Sequence, residues 1–180
     1  MKRKFTVDRA LRTRQLVCCA ILSALSVVLL LIGGVSGILD LTALVIAGLC
    51  VAFAVIEIDY RWAWLVWAVT AVLSLIVLPT KEIAVMYLLG GMYPIAKSSF
   101  EQFYPLFSWI FKLSMFNSLF LLFILIAQNV LGLSGMGYEF NAVTILIGNG
   151  VFLLYDFALT VFITFYLVRL RRRIHLPKLK

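Results

Sequence analysis

Between Leu16 and Ile32 the chain carries no charged residue, and five more apolar runs follow it at short intervals. A lipid bilayer offers backbone groups no water, so an open-ended segment can cross it only as a helix that pairs its own N–H and C=O groups. About 20 apolar residues are enough to span the hydrocarbon core. Of the 180 residues, 64% are hydrophobic and 13% charged, whereas soluble domains average roughly 45–50% apolar and about 25% charged. A mean hydropathy of +1.09 leaves too little polar surface for a water-facing fold. These features predict an all-α, polytopic membrane protein, a six-helix bundle filling one membrane domain. No room is left for a large extramembrane enzyme domain.

The spans are read at about 16–32, 39–56, 62–78, 83–100, 107–131 and 142–167, between basic tails at 1–15 and 168–180. The first run is longer than the 7–15-residue core of a signal peptide and has a poor cleavage pattern, so it is expected to be retained. Asp40, the charged turn Glu57, Asp59, Arg61, and then Pro79 to Glu82 bound the next two. The fourth is short: Ile83 to Ile95 must continue through Lys97 to Phe100 to cross, and Gly90, Gly91 and Pro94 loosen it, so a re-entrant segment is the alternative.

Charge favours six crossings. Twelve of the 16 basic residues lie in the two tails, and cytoplasmic flanks concentrate Lys and Arg. With both termini cytoplasmic and six crossings, Arg61, Lys97 and Lys112 join the inner side and only Lys81 lies outside, near Asp40, Glu82 and Glu139. The expected location is the cytoplasmic membrane, with Tyr60, Trp62 and Trp64 as an inner aromatic belt. The basic tails suit anionic lipid headgroups better than nucleic acid.

Asp156 stands near the middle of the sixth span, where an ionisable group costs ~2.5–3.5 kcal/mol and needs protein or water around it. Asn149, Thr160 and Thr164 share its helix face. Taking helices five and six as antiparallel neighbours joined at 131 and 142, equal depth sets Asp156 against Asn117 and Ser118. Two readings stand open: a protonated, hydrogen-bonded residue joining helices, or a group handling substrate or protons. Either leads us to expect that Asp156→Leu keeps the fold better than it keeps transport. Asn117, Gln128, Asn129 and Asn149, with Tyr138 nearby, are candidate lining for a small polar ligand. Interhelical hydrogen bonds and a solvated loop explain them equally. Lys112 reads as a snorkelling anchor, and Lys97 with Glu101 as a pair across one helical turn.

No metal or cofactor site is expected: Cys18, Cys19 and Cys50 lie in apolar runs, and the one histidine, His175, is in the basic tail, too few ligands for zinc. No P-loop or GxSxG occurs, and no catalytic residues are assigned. Ala20 and Ala24, four apart on the first helix, permit close approach of another helix.

The basic start, Ala20-x-x-x-Ala24, the stretch Ala24-Leu-Ser-Val-Val-Leu-Leu and six helices in 180 residues with both ends cytoplasmic resemble the substrate-binding S component of bacterial energy-coupling-factor vitamin transporters. The segment from Leu39 through Gly90-Gly-Met-Tyr-Pro-Ile-Ala-Lys97 also resembles small membrane proteins of Gram-positive bacteria. The resemblance to the S component implies a subunit that captures a small molecule on the outer side among helices four to six. It also implies that Ala20 and Ala24 meet a transmembrane coupling subunit, itself joined to ATPases. No residue pattern names the ligand. The competing expectation is a non-catalytic scaffold of the cell-envelope machinery, with the tails and first helix as docking surfaces and Asp156 as a packing residue.

Overall fold

Neither glycine nor proline occurs before Gly33, and the basic stretch is rich in Lys, Arg and Leu, which favour helix. In the computed structural model, which describes residues 2–37, 39–102, 104–130 and 141–170 (backbone alone for 2–10 and 170), α1 accordingly runs from Lys2 to Ser36. The expected tail is thus helical from Lys2 onward. Charge marks where a chain leaves an apolar medium, and it does not end the hydrogen-bonded backbone. Gly37, at φ +66°, then turns the chain in a conformation that suits glycine.

α2 (Asp40–Glu57) and α3 (Tyr60–Val77) follow within two residues of their expected bounds, joined by the short turn Ile58–Asp59. Pro79 separates α3 from α4 (Lys81–Gly90). Two residues on, α5 (Tyr93–Phe100) begins, with Pro94 in its first turn. α6 (Pro105–Asn129) and α7 (Ala142–Phe165) complete the set, and α7 passes into a π-helical turn, Tyr166–Leu170. Five of these helices are long and apolar enough to cross a membrane. The sixth crossing is made in two pieces, α4 and α5, whose 20 residues from Lys81 to Phe100 cover about 30 Å at helical rise.

Contacts fix the direction of each crossing. Gly34, near the end of α1, packs on Thr80 and Ile83 at the start of α4. At the other end, Tyr166 donates to Glu57 at 3.0 Å, and Asp59 and Tyr60 share a recess of about 460 Å³ with Ser98, Ser99 and Gln102. The α4–α5 pair therefore runs from one end of the bundle to the other. We call the end that holds Glu57, Asp59 and Gln102 the basic end, since α1 starts and the π turn finishes there.

α1 to α4 enclose a core of Leu30, Val51, Ile58, Val66 and Tyr87, all fully buried. α7 joins it through Phe152 and Leu159, packed with Ala52 and Tyr93, and α6 through Phe123 and Ala127 against Val85 and Leu89. The outward faces stay apolar: Leu106, Leu146, Leu154 and Ile76 are each more than 70% exposed, as lipid contact requires and water contact forbids. The protein is an all-α, six-helix membrane bundle.

Candidate functional site

The break between α4 and α5 has a local cause. A Cβ on Gly91 would lie 2.6 Å from the Tyr87 carbonyl oxygen, so the backbone closes over Tyr87 where only glycine fits. Three residues later Pro94 has no N–H to continue the ladder. The carbonyls freed at such a break need other donors, and the Trp67 indole supplies one, donating to the Leu88 oxygen at 3.2 Å. α5 is thereby set down against α7, with Tyr93 and Lys97 one turn apart on the same face.

Both point at Asp156. Lys97 Nζ donates to Asp156 Oδ1 at 2.5 Å, to the Asp156 main-chain oxygen at 3.0 Å and to Thr160 Oγ1 at 2.6 Å. The Tyr93 hydroxyl donates to Asp156 Oδ1. From α6, Lys112 Nζ stands 3.4 Å from Asp156 Oδ1 and donates to Glu101 Oε1 at 3.1 Å. Glu101, just past α5, also pairs with Lys97 at 3.5 Å. The four charges form a ring of alternating sign: Lys97, Asp156, Lys112, Glu101. Lys97 is 1%, Asp156 4% and Lys112 5% exposed, whereas the Glu101 side chain is 48% exposed. The ring thus reaches from the bundle interior to the basic end.

This geometry changes several expectations. Asp156 is not level with Asn117: Asn117 meets Asn149 in a reciprocal amide pair at 3.1 and 3.0 Å, and Asp156 meets Lys112 instead. The connection from α6 to α7 is long enough that equal depth at its two ends is not enforced. Two ammonium groups and a hydroxyl donor surround Asp156, the donor set that a carboxylate takes. Lys112 is no snorkelling anchor; its four-carbon stem carries the charge inward. Asp156→Leu would leave two buried cations to share Glu101 alone, so it is expected to damage the fold as well as any activity. The turn-spanning pair of Lys97 and Glu101 is present as expected.

The candidate ligand residues that the structure describes are spread along α6 and α7. Asn117 and Asn149 satisfy each other. Asn129 is exposed at the end of α6 and donates back to Leu125 at 2.9 Å, Gln128 is half-buried one position earlier, and Tyr138 lies outside the described residues. Ala20 and Ala24 are both exposed on α1, while Cys19, Ser23 and Ser26 on the same helix are buried.

The residues missed as site members are Lys97, Lys112, Glu101 and Tyr93. One signal for two of them was present: an aspartate deep in a span needs a cation at similar depth, and only Lys97 and Lys112 lie within other spans. Tyr93 carried no such signal, because a tyrosine in an apolar run reads equally as packing. Compared with protein-family models, with curated proteins and with solved structures, the chain matches none of them.

Proposed function

We propose that the chain is the substrate-capture subunit of a multi-subunit transporter for a small, vitamin-like molecule, a binding protein and not an enzyme. In this reading it sits in the cytoplasmic membrane with both termini cytoplasmic, the placement that puts all basic residues but Lys81 inside. The observation that carries the proposal is the ring of Lys97, Asp156, Lys112 and Glu101 beside the interrupted crossing. A bundle that has only to hold together can do so with small residues and apolar packing. Each ionisable group inside a span costs several kcal/mol on insertion scales, of order ~2.5–3.5 at the centre, and such groups mark solute and ion pathways. Helices broken at the membrane midplane form the solute sites of many carriers.

The face of α1 fits the same reading. Ala20 and Ala24 present small side chains to the outside, where a helix of a coupling subunit approaches closely. ATPases would then drive the cycle through that subunit, and the chain needs no nucleotide site of its own.

One observation favours the scaffold alternative: Asn117 with Asn149, and Lys97 with its three acceptors, find their partners inside the chain and leave no donor waiting for a solute. Affinity purification from the native host in mild detergent, with mass spectrometry of proteins and small molecules, separates the two. Capture predicts a coupling subunit and ATPases, or a stoichiometric metabolite. Recovery of envelope-synthesis proteins with no metabolite would overturn it.

A further inference from the structure

Lys97 and Lys112 share Asp156 unequally. An ammonium group has three protons, and those of Lys97 meet three acceptors at 2.5, 2.6 and 3.0 Å. Lys112, although just as enclosed, makes one short bond, to Glu101 Oε1 at 3.1 Å. The two Asp156 oxygens stand 3.4 and 3.5 Å from it, and the Trp109 ring lies beneath it at 5.4 Å. The one close partner of this buried cation is thus a half-exposed carboxylate on a turn.

Charge sharpens the point. Two lysines need two anions, and Asp156 is fixed on α7 by Lys97 and Tyr93. If Glu101 swings into the aqueous phase beside it, one buried ammonium group is left uncompensated, a state that is strongly disfavoured. A monoanion arriving from the basic end restores neutrality. Its fit is already on display, since Glu101 places a carboxylate oxygen 3.1 Å from Lys112 and 3.5 Å from Lys97.

We propose that Lys112 heads an anion-binding site open to the basic end of the bundle, that Glu101 is the tethered carboxylate filling it in this conformation, and that its ligand is the carboxylate of a small solute. The use made of the site rests on the transport reading, in which the basic end faces the cytoplasm and the site serves release of a solute captured on the outer side. The site itself rests on the lysine geometry alone.

Chemical rescue tests it. In purified detergent-solubilised protein, Glu101→Ala lowers the thermal midpoint, and sodium acetate restores it saturably by about 2–4 °C, the shift that a change near 1 kcal/mol produces at this chain length. Sodium chloride at equal ionic strength does not restore it, and the double variant E101A/K112M does not respond to acetate. Glu101→Ser, which also vacates the site but keeps a polar side chain on the turn, is read in the same assay should E101A not be recovered folded. Equal effects of acetate and chloride, or an equal acetate response in the double variant, would overturn the proposal. Rescue by added phosphatidylglycerol and not by acetate would also overturn it, assigning the lysine to a lipid headgroup phosphate. The assay uses neither partner nor transport, so its failure and that of the capture reading are told apart by the co-purification experiment.

Discussion

Lys97 of α5 and Asp156 of α7 close to 2.5 Å across 59 positions of sequence, the most enclosed ion pair in the described chain. The pair joins the lower half of the interrupted crossing to the last helix. Lys112 brings in α6 at the same carboxylate, so three helices meet on one side chain.

That arrangement makes Asp156 costly to remove. Asp156→Leu is expected to destabilise by about 3–5 kcal/mol, the range for breaking a buried ion pair from one side. K97M/D156L, which removes one cation with the anion, should recover a large part of that loss. Denaturant unfolding followed by tryptophan fluorescence in micelles measures both. Equal stability of the single and double variants would contradict the pairing.

Two buried tyrosines should respond oppositely to loss of the hydroxyl. Tyr93 donates to Asp156, so Tyr93→Phe is expected to cost about 1.5–3 kcal/mol, the range for a bond to a charged group. Tyr87 is fully buried and its hydroxyl has no hydrogen-bond partner among the described residues. Tyr87→Phe should therefore be neutral or stabilising, and paired thermal melts decide it.

The glycines divide in the same way. A methyl group at Gly91 meets the Tyr87 carbonyl at 2.6 Å, whereas one at Gly150 meets nothing within 4 Å. Gly91→Ala should cost about 1–3 kcal/mol through forced backbone movement. Gly150→Ala should gain up to about 1 kcal/mol from helix propensity. Circular dichroism melts of the two variants give the comparison.

The segment bounds were legible wherever a charge or a proline stands at the end of a run. α2 and α3 start and stop within two residues of the positions that Asp40, Glu57, Arg61 and Pro79 indicate. The early start of α1 was only partly legible, because the absence of glycine and proline before Gly33 permits a helix from Lys2 without requiring one. The depth of Asp156 was legible and its surroundings were not. Register between α6 and α7 is set by side-chain packing and the amide pair of Asn117 with Asn149, which a long connection leaves free to choose. Lys112 misled because a lysine stem reaches inward as readily as outward.

The exposed small face of α1 separates partner binding from folding. Ala20 and Ala24 are exposed, so A20L/A24L should stay within about 0.5 kcal/mol of wild type in stability. Under the capture reading, co-purification of a coupling subunit should be lost. An unchanged partner yield would remove Ala20 and Ala24 from the interface.

The ionised state of Asp156 is the centre of the account, and infrared spectroscopy reads it directly. In protein reconstituted in lipid at neutral pH, the difference spectrum between wild type and Asp156→Asn should show loss of carboxylate bands and no protonated-carboxyl C=O band. A protonated-carboxyl band that disappears with the substitution would contradict the ion-pair ring and return Asp156 to the role of a neutral hydrogen-bonding residue.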